Sequence, residues 1–508
     1  MQRDLTWQVG QRFVAGFAGT EVPENLKTLV REHKVGNFIL FKRNVESREQ
    51  LGKLCADLQS LAMEHTGLPA FITIDQEGGT VTRLPGDCAI TPTAMALAAT
   101  GKPENAQLAG LITGRELSAL GVNFNLSPVM DVNSNPKNPV IGARSDGDDP
   151  NLCAAFGSAM VRGLTEGGVM SCAKHFPGHG DTAVDSHLGL PRVEKTLEEL
   201  EACEFIPFRA AMEAGVDAVM TTHILFPNLE EQEIPATMSK AIMQGILRER
   251  MGYDGLILSD CMMMDAIAKF YGTVEGCVAA CNASVDMVFV CHDPELTGRA
   301  CEAVAKQGDR GMMEDSIRRI VKAKEALMSR PMGTLEAVGG EEHRRANARM
   351  REESITPVGA PMPVLGDHPF FVGCYPFVAS MVITPVEREV CFPEWMQQRF
   401  GGTSLVTDID PDVSEISSAV EAAKDASCIV LCTFNAHMKP GQLVLLRELA
   451  ALEKPMIVCA MRDPYDLMHL PKGVSGLITY EYSADTLECL RKVFAGELVP
   501  TGTLSVKL

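Results

Sequence analysis

The chain is short of positive charge: 46 Lys and Arg stand against 66 Asp and Glu, a formal net charge of −20 over 508 residues. A nucleic-acid binder normally presents a basic face, so nucleic acid is not an expected partner. Long apolar runs are also missing. None approaches the roughly 18 residues that a membrane span requires, and MQRDLTWQVGQRF at the start holds no apolar core of signal-peptide length. A cytoplasmic protein without a membrane span is therefore expected. There are 16 Cys but no Cys-x-x-Cys pair, and CVAAC (277–281) and CIVLC (428–432) lie in apolar runs with no His nearby. Such cysteines behave as small buried hydrophobes, which argues against a zinc or disulfide framework. GxGxxG, the P-loop, internal repeats and low-complexity tracts are absent as well, so no nucleotide cofactor is indicated.

What is present is a globular composition, 46% hydrophobic and 22% charged, in a chain too long for one ordinary core. Short apolar runs recur, each followed by a longer helix-like stretch: Arg12–Phe17, Gly36–Phe41, Ala70–Ile74, Val122–Leu126, Val169–Ala173, Ala218–Thr221, Gly255–Leu258 and Asp286–Val290. Runs apolar on both faces and separated by helices read as parallel strands under covering helices. Eight of them fit a (β/α)8 barrel with insertions, and an open doubly wound sheet shares the local pattern. Titratable groups sit at most of the ends: Asp75, Asp131, Lys174 with His175, His223, Asp260 and His292. In a barrel those ends form one rim, where catalytic groups gather. The barrel is placed at 1–335. A charged stretch over 336–360 reads as a linker with one helix. Residues 361–508 carry four further strand-like runs, Phe370–Cys374, Cys428–Thr433, Met456–Ala460 and Gly476–Tyr480, expected to form a smaller α/β domain with an open, mostly parallel sheet.

Three stretches carry polar groups suited to chemistry. KHFPGHGDTAVDSH (174–187) places His175 and His179 at the spacing of a helical zinc pair, but Pro177, Gly178 and Gly180 disfavour a helix there, and no Glu stands in the HExxH position. A loop is expected instead, with His179 in a structural role. Asp185 and His187 on that loop form a carboxylate–imidazole pair able to give and take a proton near neutral pH; a solvated turn capped by Asp185 has the same spacing. In LILSD, Asp260 ends a strand before a helix, either capping that helix or standing at the rim as a nucleophile. DQEGGTVTRL (75–84) offers Asp75, Glu77 and Arg83 on a glycine-bearing turn, suited to holding hydroxyl groups or to lying on the surface.

Together, KHFPGHGDTAVDSH, ITIDQEGG, NPVIGARS and LILSD resemble the family three glycoside hydrolases, and more narrowly their β-N-acetylglucosaminidase branch, over roughly residues 5–330. The second domain resembles the C-terminal domain of two-domain members. The resemblance implies a retaining exo-β-N-acetylglucosaminidase with Asp260 as the nucleophile that forms a covalent glycosyl-enzyme. It implies Asp185 and His187 as an acid/base dyad, and Asp75, Arg83, Arg144, Lys174 and His175 as residues binding the terminal N-acetylglucosamine. It implies no cofactor and no metal. The implied substrate is a small glycoside, an N-acetylglucosamine-containing muropeptide or disaccharide met in peptidoglycan recycling. A histidine base is neutral and does not repel an anionic acceptor, so a phosphorylase reading stays open beside hydrolysis. β-Glucosidase or β-xylosidase activity is a further alternative, although relatives of that kind generally lack the histidine loop. A non-catalytic sugar-binding protein would be expected to lack Asp260, Asp185 or His187, and all three are present. Thr80, Asp146 and Cys261 depart from the residues most common at their motif positions (arginine, an aromatic residue and aspartate), which bears on the pocket wall rather than on the reaction class.

Overall fold

The computed structural model describes residues 4–182, 190–375 and 390–508. Eight strands form the first sheet: β1 (Phe13–Ala15), β2 (Asn37–Leu40), β3 (Phe71–Ile74), β4 (Phe124–Asn125), β5 (Cys172–Phe176), β6 (Ala218–Thr221), β7 (Leu256–Cys261) and β8 (Met287–Val290). Every neighbouring pair is parallel, and β1 lies between β2 and β8. From β4 to β5 the ladder continues as single bridges, Phe124 with Met170 and Val129 with Lys174, so the sheet closes on itself. The expected (β/α)8 barrel is what forms.

Period-two alternation explains why the strands read as continuous apolar runs. Val14, Ile39, Phe71, Phe124, Cys172, Met220, Leu258 and Phe289 fill the barrel interior. Their neighbours Phe13, Phe38, Ile72, Ala173, Val219, Ile257 and Val288 face the surrounding helices. Helix signals are equally local: the helix Arg48–Thr66 starts where Ser47 accepts a bond from the Gln50 amide and stops at Gly67 in the left-handed conformation. The helix Arg310–Leu327 seals the N-terminal end, with Ile320 in the interior cluster and the Lys324 Nζ 5.1 Å from the Phe71 ring. The opposite, C-terminal end is left for the site. The fifth strand begins at Cys172 rather than Val169 and runs on through Lys174 and His175, because both polar side chains find buried partners there.

The second sheet comprises β9 (Thr356–Gly359), β10 (Phe370–Cys374), β11 (Thr403–Thr407), β12 (Ile429–Thr433), β13 (Met456–Ala460) and β14 (Ser475–Ile478). Its order is β11-β10-β12-β13-β14-β9, parallel throughout except for β9 against β14. The span 336–360 contains the helix Glu341–Ser354 and, beyond it, β9. One face of this sheet packs on its own helices; the other takes in Met95, Ala96, Ala99 and Ala143 of the barrel, so the two units share a core. Among the described residues no helix is long and apolar enough to cross a membrane.

Candidate active site

Four charges, two of them buried and two half-buried, meet at the C-terminal rim of the barrel. Glu77, just beyond β3, receives two bonds from Arg144, from Nε at 2.8 Å and Nη2 at 2.7 Å. Lys174 in β5 reaches Glu77 Oε1 and Asp75 Oδ1, both at 2.7 Å. Two cations and two carboxylates thus cancel, which is what allows the Lys174 and Arg144 side chains to be only 2% and 3% exposed. Burial alone would neutralise Glu77; the adjoining Arg144 and Lys174 outweigh it and hold its carboxyl well below the usual range. For Lys174 burial is likewise outweighed, by Asp75 and then Glu77, and its ammonium is raised. Asp75 is the most open of the four at 15%, and among the described residues its Oδ2 takes no hydrogen bond.

The backbone around these charges is held by amide side chains. Gln76 Oε1 accepts from the Arg83 and Leu84 amides and from Thr82 Oγ1, folding the DQEGGTVTRL loop onto itself and burying Arg83 beside it. Arg144 stands on a short 3-10 turn, Gly142–Arg144. Asn138 binds the start of that turn, its Oδ1 accepting from the Val140 and Ile141 amides, while its Nδ2 donates to the His179 carbonyl and to Thr182. The turn with Arg144 and the segment after β5 are therefore tied together.

His175 and His179 are both organised by Asp131. Asp131 Oδ2 lies 2.8 Å from His175 Nδ1, and its Oδ1 accepts the His179 amide at 2.7 Å. Burial works against the Asp131 charge, but His175 and its hydrogen bond outweigh it and lower the carboxyl. His179 bonds Thr182 through Nδ1, and burial, with the neighbouring His175, presses its imidazole down to about 4. At neutral pH it is uncharged.

Asp260 is the partly exposed penultimate residue of β7, with Oδ1 accepting from the Cys261 amide at 2.6 Å. Buried His223 braces this end, its Nε2–H donating to the Cys261 carbonyl at 3.0 Å. Asp75 directly follows β3, Lys174 lies in the C-terminal half of β5 and Asp260 near the C-terminal end of β7, and these strands run parallel in one barrel, so the three stand toward the same end. Asp146 is buried, and desolvation pushes its carboxyl well above its ordinary value. It lines a cavity of about 20 Å³, room for roughly one water, together with Thr80, Ser127, Phe156, Glu77 and Arg144. Two of the three departures from the family's motif pattern, Thr80 and Asp146, thus border one small void that Glu77 and Arg144 also line.

Of the residues singled out from sequence, Asp75, Arg144 and Lys174 enter one charge network, Arg83 sits on the adjoining loop, and His175 and Asp260 stand on the same rim. Asp185 and His187 lie outside the described residues. Sequence reasoning offered Glu77, with Asp75 and Arg83, as suited to holding hydroxyl groups and counted Asp131 among the rim groups, but assigned neither to the sugar site. Glu77 proves to be the hub of the network, and its place two residues after Asp75 in the same motif was the available signal. Gln76 and Asn138 left no signal beyond their position in motif-bearing loops.

A closed parallel barrel with paired carboxylates and cations on its C-terminal rim, and a further partly exposed carboxylate, Asp260, near the end of β7, has the form of a barrel enzyme with a polar-ligand site. Residues 7–323 match the glycosyl hydrolase family 3 N terminal domain, and the chain belongs to that family and is a glycoside hydrolase. It is 33% identical to beta-hexosaminidase A of Pseudoalteromonas piscicida over 92% of this chain and 86% of that protein. It is also 36% identical to the beta-hexosaminidase of Thiobacillus denitrificans over 57% of this chain and 79% of that one. A solved family 3 β-N-acetylglucosaminidase from Paenibacillus sp. str. FPU-7 superposes with a TM-score of 0.92 at 36% identity, covering 99% of both chains.

Proposed function

We propose that the protein is a retaining exo-β-N-acetylglucosaminidase that removes terminal N-acetylglucosamine from peptidoglycan fragments in the cytoplasm. The observation that carries the reading is the charge-balanced, largely enclosed Asp75–Lys174–Glu77–Arg144 set at the rim that also bears Asp260. Such a set presents fixed hydrogen-bonding groups to sugar hydroxyls without a net charge. The names of the two hexosaminidases and of the Paenibacillus enzyme support the N-acetyl sugar as substrate.

In the proposed reaction the Asp260 carboxylate attacks the anomeric carbon while protonated His187 gives its proton to the departing glycosidic oxygen. The aglycone leaves as an alcohol, and the sugar remains esterified to Asp260. His187, now neutral and oriented by Asp185, takes a proton from water, whose oxygen attacks the same carbon and frees Asp260. Asp75, Arg83, Arg144, Lys174 and His175 hold the sugar; no cofactor or metal takes part. The test is product analysis on 4-nitrophenyl β-N-acetylglucosaminide and β-glucoside, each with and without millimolar phosphate. Preference for the N-acetyl substrate with free sugar as product supports the reading. Sugar 1-phosphate as main product, or preference for the glucoside, overturns it.

A further inference from the structure

The turn that carries Arg144 is not held by the barrel alone. In the second domain the loop after β13 supplies Asp463, whose Oδ1 accepts the Ala143 amide at 2.9 Å across 320 residues of sequence. The approach is so close that a Cβ on Gly142, which has a positive φ of 46°, would lie 2.5 Å from that oxygen. Only glycine meets both demands. Asp463 is itself fixed: with its amide oriented to satisfy both neighbours, Asn435 donates to Asp463 Oδ2 at 2.9 Å and accepts from Arg462 at 2.9 Å. All three side chains are buried. Two residues on, the Tyr465 hydroxyl accepts from Asn133 of the barrel at 2.9 Å.

A second contact reaches the other half of the ion pair. Buried Glu481, just beyond β14, lies 2.6 Å from where a Cβ of Gly79 would stand, and Gly79 follows Glu77 by two residues. Thr93, packed against the same glycine, donates to the Tyr480 carbonyl. Loops beyond two adjacent strands of the second sheet therefore press on the two turns that present Glu77 and Arg144.

We propose that the second domain serves the sugar site through Asp463, a positioning residue that sets Arg144 by anchoring the Gly142–Arg144 turn. It touches no substrate. Its effect passes through the backbone at Ala143 to the guanidinium that clasps Glu77, and through Asn138 to the base of the segment after β5. The inference rests on the sugar-binding reading of Arg144 given above.

Asp463→Ala, Asp463→Asn and Gly142→Ala are to be compared with wild type on 4-nitrophenyl β-N-acetylglucosaminide, with inhibition by free N-acetylglucosamine and exchange of the 140–146 amides measured in parallel. Asp466→Asn is the control. Asp466 lies three residues on in the loop after β13, pairs with His437 of the turn after β12, and among the described residues bonds no residue of the barrel. Turnover by wild type bears on the function alone; the variants bear on Asp463. Expected are a KM and inhibition constant raised about 10- to 100-fold in Asp463→Ala, the scale of a misplaced binding group, faster exchange at 140–146, and recovery to within about threefold in Asp463→Asn, which keeps the acceptor. Asp466→Asn should leave KM in place. Should Asp463→Ala fail to fold, Gly142→Ala perturbs the same contact from the barrel side and should raise KM alike. KM and inhibition constant unchanged in the folded variants, with only the melting temperature lowered, would overturn the proposal.

Discussion

Replacing Glu77 by Gln removes one charge from a buried set whose sum is zero. Arg144 gives Glu77 two bonds and Lys174 a third. The amide of the variant keeps an acceptor for one of these cations but turns N–H groups toward the other, leaving a net positive charge behind walls where Lys174 and Arg144 are almost fully enclosed. Stranding one member of a buried pair costs about 3–5 kcal/mol. For a barrel of this size, at about 2 °C per kcal/mol, that is a fall of roughly 6–10 °C in a thermal melt. Loss of a charged hydrogen bond from the proposed sugar site, about 1.5–3 kcal/mol, should raise KM about 10- to 100-fold. The pH dependence has a definite sign. The Glu77 carboxyl is held well below its ordinary value, so its stabilisation is complete above the unfolded value of about 4.3 and is lost as pH falls below it. The gap between wild type and Glu77→Gln should therefore be constant above about pH 5 and narrow below about pH 4. Melting curves and steady-state kinetics read all three effects. The exposed Lys27–Glu24 pair is the control, since Glu24→Gln should cost under about 1 kcal/mol. A Glu77→Gln protein melting within a degree of wild type with unchanged KM would refute the argument.

Three further outcomes follow from particular groups. Asp260→Ala and His187→Ala should each lose activity on the N-acetylglucosaminide by orders of magnitude without loss of fold, and an Asp260→Ala enzyme near wild-type activity would end the covalent mechanism. Asp146 is an acid whose folded value is raised by burial, so its contribution is full below about pH 3.9 and is lost as pH rises; Asp146→Asn should melt progressively higher relative to wild type from pH 5 to 8. Lys324 is a base pressed down to about 7 by burial, so its folded form binds fewer protons than the unfolded chain between about pH 7 and 10.4. Stability should rise with pH across that window in the wild type, and Lys324→Met should flatten the rise.

The barrel was legible because its strands are buried on both faces and read as apolar runs, which edge strands do not. β11 is largely exposed or half-exposed, and β9 is a short antiparallel edge with Pro357 inside it, so neither announced itself. The end of β5 was misplaced for the opposite reason. Lys174 and His175 look like loop residues until Asp75, Glu77 and Asp131 are seen to satisfy them. Individual site positions could be read from motifs, but their pairing could not. Glu77 and Arg144 are 67 residues apart, and nothing in either segment names the other.

That separation bears on how the site is held together. A sugar offers no charge to pay for ordering ionic side chains, so the protein must arrange them before the ligand arrives. The barrel frame holds Arg144 through Asn138 and Glu77, but its turn begins at a glycine with positive φ, the residue type with the most backbone freedom to lose. The same glycine is what admits Asp463 to hydrogen-bond distance. Local freedom and remote anchoring are thus two consequences of one missing Cβ. Without Asp463 the turn keeps its bonds to Asn138 but loses the contact that fixes Ala143, and the Arg144 fork must find Glu77 from a wider range of positions. On the proposed reading the second domain acts on affinity for the sugar through this anchor, which is why KM, more than the melting temperature, is the quantity that distinguishes an anchor from packing.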